Sequence, residues 1–102
     1  MDYPTLDFYS DLQCVDKSIS SQHYRIFLRE LRAARKRSGL TQVDLAARLG
    51  ETQSFVSKCE RGERRLDIVE ARSFCRAFGV PFPTFARQLE RILAAAPRSA
   101  KR

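Results

Sequence analysis

Residues 42–61 read QVDLAARLGETQSFVSKCER, and their spacing decides the fold. Gln42 to Leu49 places Leu45, Ala46 and Leu49 on one face at helical spacing. Gln53 to Glu60 turns Val56 and Cys59 inward and leaves Gln53, Ser54, Ser57 and Lys58 outward. Apolar residues therefore fall at the fourth, eighth, fifteenth and eighteenth places of the stretch, with small Ala46 fifth and Gly50 ninth. Ala46 must be small if the second helix crosses close to it, and Gly50 sits where the chain needs a positive φ, which costs little only for glycine. Two short helices crossing steeply over a tight turn satisfy every one of these demands, which is a helix-turn-helix unit.

The remaining chain supports that unit. At 102 residues there is length for one small domain with a single core. Hydrophobic residues at 43% and charged residues at 30% give a globular rather than a disordered balance. No apolar run approaches the roughly 18 residues of a membrane span, and the acidic start MDYPTLDFYSDL lacks the basic-then-apolar order of a secretory signal. A cytoplasmic protein with no membrane role is expected. Cys14, Cys59 and Cys75 have no metal-ligand spacing and His23 has no companion ligand, so no metal or other cofactor is expected. Cys59 and Cys75 fall at core positions and read as small buried hydrophobes.

Charge is the most informative bulk property. The chain carries a net +7. Residues 1–20 hold four aspartates and one lysine, a net −3, which leaves eighteen basic and eight acidic residues, a net +10, on residues 21–102. Such an excess on a small body is an electrostatic footprint for nucleic acid, although a merely soluble basic surface would look the same. Arginine heavily outnumbers lysine, which favours phosphate and base-edge contacts.

In chain order, residues 1–20 form an acidic leader whose scattered aromatics suggest a packing arm. Ser20 or Ser21 is placed to cap a helix over 22–37. Its apolar face is Tyr24, Phe27, Leu28, Leu31 and Ala34, and its other face carries Arg25, Arg29, Arg32, Arg35, Lys36 and Arg37. The last three complement the negative pole of the helix end, and a contact with a polyanion is compatible with that role. Gly39 stops the helix. Thr41 with Asp44 makes a capping box for the second helix. Thr52 caps the third, where Phe55 stands in place of the usual second acidic partner. Asp67 and Glu70 cap a fourth helix with Ile68, Ala71, Cys75 and Phe78 inward and Phe74 beside them, closed by Gly79. Pro83 opens a fifth, to Ala95, with Phe85, Leu89, Ile92 and Leu93 near heptad spacing. Residues 97–102 form a basic tail with no packing residues, expected to be disordered. The expected architecture is all-α: five helices over residues 21–96.

The run LRAARKRSGLTQVDLAARLGETQSFVSKCERGERRLDIVEARSFCRAFGV, Leu31 to Val80, resembles the lambda-repressor-like, Cro/XRE family of helix-turn-helix transcriptional regulators. The S-G-L-T-Q run, the A-x-x-L-G turn and the E-R-G after the third helix carry the resemblance. It implies that the third helix enters the major groove of double-stranded DNA. Gln53 then matches the family's base-reading glutamine, with Ser54, Ser57 and Lys58 at the next outward positions. A glutamine can bond adenine N6 and N7 together, and a lysine can donate to guanine O6 and N7. Gln42 matches a phosphate-binding glutamine, and Thr52, Arg61, Arg64 and Arg65 would hold the backbone. Two residues depart from the family pattern: Glu51 stands in the turn where an apolar residue is usual, and Cys59 where a larger one is common.

One recognition helix covers few base pairs, so a homodimer on a pseudo-palindromic operator is expected, with Phe85, Leu89 and Ile92 as the possible dimer surface. The same face would equally close the monomer core. A second reading is an antitoxin or adaptor that grips a protein partner through the leader or the fifth helix while the helix-turn-helix autoregulates. Catalysis has little support, because there is no paired nucleophile and base, no glycine-rich phosphate loop and no metal set.

Overall fold

Local chemistry sets each helix boundary. The Thr41 hydroxyl accepts from the Asp44 N–H while the Asp44 carboxylate accepts from the Thr41 N–H, both at 3.0 Å. Asp67 and Glu70 repeat the reciprocal pair one element later, at 2.8 and 3.0 Å. The Thr52 hydroxyl accepts from the Phe55 N–H at 3.1 Å. Each such cap satisfies an otherwise orphaned donor and is worth about 1 kcal/mol. At the other end of the second helix Gly50 adopts φ +71, its N–H bonding Ala47 O at 3.3 Å while Glu51 N–H bonds Ala46 O at 2.9 Å. This double closure is a Schellman motif, and it aims the chain into the next helix.

The computed structural model describes residues 17–96, with side chains from residue 21 onward. The readings made on residues 1–16 (most of the acidic leader, with Cys14) and on the basic tail at 97–102 lie outside the described residues. Five helices occupy the described part: α1 (Lys17–Arg37), α2 (Gln42–Leu49), α3 (Gln53–Arg61), α4 (Ile68–Phe78) and α5 (Phe82–Ala95). No strand occurs among the described residues, and no helix there is long and apolar enough to cross a membrane. α2 packs on α3 and α4, α1 lies against α3, α4 and α5, and α5 closes on α4.

The core draws on all five helices: Leu28, Leu31 and Ala34 from α1, Leu45 and Ala46 from α2, Val56 and Cys59 from α3, Phe74, Cys75 and Phe78 from α4, and Phe85 from α5. Leu45 and Val56 are wholly inaccessible. Burying a side chain of that size is worth roughly 1.5–3 kcal/mol, enough to fix the crossing of α2 over α3. Phe74 meets Phe78 edge-on with ring centres 6.3 Å apart, and Phe27 meets Phe85 likewise at 6.2 Å.

Several expectations from the sequence need correction. α1 is described from Lys17, so Ser20 and Ser21 lie inside it rather than at its start, and the helix crosses the boundary set at residue 20. With no proline or glycine between residues 17 and 21, nothing stops the helix from propagating upstream. The inner face of α4 is Ala71, Phe74, Cys75 and Phe78, whereas Ile68, placed inward by spacing, is 70% exposed. It stands in the first turn, where the helix overhangs an open groove rather than the core. Pro83 occupies the second helical position of α5, after Phe82. Arg35, assigned to the outer face of α1, is buried, as is Glu60 of α3.

Candidate nucleic-acid interface

The N-terminal ends of α2 and α3 are brought together, and a chain of hydrogen bonds links them to the core. Gln53 Nε2 donates to Gln42 Oε1 at 2.7 Å. Gln42 Nε2 donates in turn to Glu60 Oε1 at 2.9 Å. Behind it Arg35 donates through Nε to Glu60 Oε2 at 2.7 Å and through Nη2 to Oε1 at 3.1 Å. A third donor, Nη1 of the same guanidinium, holds Leu40 O at 2.8 Å and so anchors the turn that leads into α2.

The direction of this relay follows from charge. A carboxylate only accepts, so Glu60 forces the amide NH₂ of Gln42 toward itself and the amide oxygen of Gln42 toward Gln53. Gln53 must then offer an N–H to Gln42, keeping its own oxygen and its second N–H for an outside partner. One acceptor and one donor on a single amide are what the N6 and N7 edge of adenine requires. Burial pushes the Glu60 carboxyl up, but hydrogen bonds from Arg35 and Gln42, with the charges of Arg35 and Arg32, outweigh it and hold the group below the usual carboxylate range. Glu60 is therefore ionised at neutral pH and the relay keeps one direction.

Around this pair the other expected contact residues divide. Ser54 and Lys58 are exposed on α3, and half-buried Ser57 accepts a hydrogen bond from Arg61 Nη1 at 2.5 Å. Thr52, the cap of α3, is exposed beside Gln53. Arg61 also pairs with Glu63 at 3.0 Å. Arg64 pairs with Glu70 at 3.0 Å and lies 4.8 Å from the centre of the Phe55 ring. Arg65 turns back over Tyr24, 4.2 Å from the ring centre. Exposed ion pairs of this kind are weak and screened by solvent, so a phosphate can exchange for the carboxylate partners of Arg61 and Arg64. Arg65 stands instead on the α1 side of the body, at the rim of the apolar groove.

That groove, about 420 Å³, runs between α1, the start of α4 and α5, and includes Phe27, Ile68, Leu89 and Leu93. Of the expected dimer residues, Phe85 is buried in the monomer core, 3% exposed, so it presents no surface. Leu89 and Ile92 are half-buried. The thiols are buried as well: burial pushes Cys59 up and Cys75 up to about 11, so both stay protonated and unreactive near neutrality. Glu51, the unexpected charge in the turn, is exposed. The turn needs only its backbone N–H, so the exposed side chain there incurs no burial cost.

Sequence reasoning missed Arg35 and Glu60 because their charge hid their register. Arg35 lies at i+7 from Leu28 and i+4 from Leu31, and Glu60 at i+4 from Val56, all core spacings. Two opposite charges on facing inner stripes are a readable signal for a buried ion pair.

The Helix-turn-helix family model matches residues 31–85, which include α2, α3 and α4. Among solved structures, an XRE-family like protein from Pseudomonas syringae pv. tomato str. DC3000 is 46% identical, with a TM-score of 0.71 over 74% of this chain and 93% of that one. No curated protein matches the chain.

Proposed function

This chain belongs to the XRE family of helix-turn-helix proteins, and on that premise we propose that it is a sequence-specific regulator of transcription that reads double-stranded DNA. α3 lies in the major groove, with Gln53, Ser54, Ser57 and Lys58 toward the base edges and Gln42, Thr52, Arg61 and Arg64 toward phosphates. The observation that carries the reading is the Arg35–Glu60–Gln42–Gln53 relay. A buried ion pair of this kind does little for stability by itself; here it fixes an exposed amide in one orientation at the start of α3. The N–H groups opening α2 and α3 add positive poles where an anion would lie.

Two copies bind a pseudo-palindromic site whose half-sites are about one helical turn, 34 Å, apart. Leu89 and Ile92, with the open groove beside them, supply the apolar surface for that pairing, and Phe85 supports it from beneath.

Replacing Gln53 with Ala tests the assignment. On the preferred site the variant should bind about 1–3 kcal/mol more weakly and lose discrimination at one base position, while random-sequence DNA is bound as before. If Gln53→Ala keeps wild-type discrimination, α3 does not read bases through this residue.

A further inference from the structure

A second cluster lies behind the relay, where α1 passes the end of α3. Leu28 packs there against Gly62, its Cδ1 3.4 Å from where a Cβ on that glycine would stand. Beside this contact a shallow cleft of about 200 Å³ is lined by Arg25, Arg29, Arg32, Glu60 and Arg61. Four arginines thus line a cleft with one buried carboxylate, which already holds Arg35 and Gln42, while Arg61 pairs with the exposed Glu63 at the margin. Arg32 stands 3.5 Å from the same Glu60 oxygen that Gln42 bonds. The cleft is therefore continuous with the Gln42 end of the relay.

Stability of the fold does not account for the row. Like charges three and four residues apart on a helix repel, and the neighbouring acid Glu30 reaches only Arg29, at 3.4 Å. The negative pole of α3 does not need them either, because Gly62, Glu63 and Arg64 N–H groups already close on its last carbonyls. Arginine rather than lysine at all four positions suits a phosphate, which it can hold in two-point fashion. From Arg25 to Arg32 the row runs about 10 Å along α1, which is the axial rise of about three phosphates on one strand.

We propose that Arg25, Arg29, Arg32 and Arg61 form a phosphodiester-binding cleft that grips the DNA backbone beyond the bases read by α3. The proposal rests on the DNA-binding reading above and extends it: α1 carries a sequence-independent clamp, so the footprint is longer than α3 alone would give. Guanidiniums entering the backbone release counterions without sensing sequence.

The test uses the full chain on a random-sequence 30-base-pair duplex, with affinity measured over a range of salt. The paired variant Arg25→Gln, Arg29→Gln should lower the slope of log affinity against log salt by about 0.9 for each phosphate no longer neutralised, so by about 2 in all. Arg25→Lys, Arg29→Lys keeps the charge and should keep the slope. Arg87→Gln, Arg91→Gln on α5, a helix packed on α1 and α4, removes as much charge and should leave the slope unchanged. An unchanged slope in the first variant overturns the proposal, as does an equal fall in the α5 variant, which would show a net-charge effect only. Saturable binding of inorganic phosphate that the first variant loses, with its DNA slope intact, also overturns it in favour of a free-anion site. Absence of DNA binding by the unaltered chain even at low salt would instead defeat the underlying reading.

Discussion

Glu60 shows how much can rest on a single carboxylate. It is buried, accepts from Arg35 and Gln42, and has Arg32 within ion-pair reach. Replacing it with Gln leaves the Arg35 charge without its counterion inside the protein, which costs about 3–5 kcal/mol, a large part of the stability of a small domain. Its pKa is depressed in the folded state, so its stabilisation is fully present above the unfolded value of about 4.3 and is lost as pH falls through the lower folded value. Urea unfolding at a series of pH values should therefore show wild type and Glu60→Gln far apart at pH 7. The gap should narrow only below about pH 4. A constant gap down to pH 2 would mean that Glu60 is not the group titrating. Neither Glu60 nor Arg35 stood out in the sequence, because periodicity is counted on apolar residues and a buried pair of opposite charges breaks the pattern from both sides. Gln42 and Gln53 were legible as separate surface residues. Their bond was not, since it depends on how steeply α2 and α3 cross.

At the scale of the helices the sequence was more transparent. Thr41 with Asp44, Thr52, Asp67 with Glu70 and the glycines Gly39, Gly50 and Gly79 marked boundaries that the structure keeps, because caps are local chemistry. The start of α1 was misplaced where local chemistry was misleading: serines are good caps, but Ser20 and Ser21 fall within a longer helix. Ile68 fell on the right stripe of α4 but one turn beyond the core it was meant to join. Gly50 provides the direct test of this local logic. A Cβ there would meet nothing within 4 Å, so Gly50→Ala should act through its φ of +71 alone. The expected loss is about 1–2 kcal/mol in chemical denaturation. The crossing of α2 over α3 should remain, with the Gln42–Gln53 pair intact by NMR. A loss near zero would mean that the turn does not require the left-handed conformation.

At the scale of the whole molecule, a basic body presents the Gln42–Gln53 edge, an arginine-lined cleft beside it and an apolar groove elsewhere. The all-α architecture and the α2–α3 helix-turn-helix pair were legible because the spacing of residues 42–61 admits few other folds. The division of the arginines was not, since composition cannot say that Arg35 is buried, that Arg65 covers Tyr24 or that Arg61 lines a cleft with α1. The expected dimer surface changed for the same reason: heptad spacing in α5 could not distinguish Phe85, which fills the core, from Leu89 and Ile92 at its margin. On the proposed symmetric reading, duplexes selected by this chain from a random DNA pool should carry an enriched motif of two inverted half-sites, with centres about 10 base pairs apart. Recovery of a pool with no enriched motif, despite binding, would contradict it.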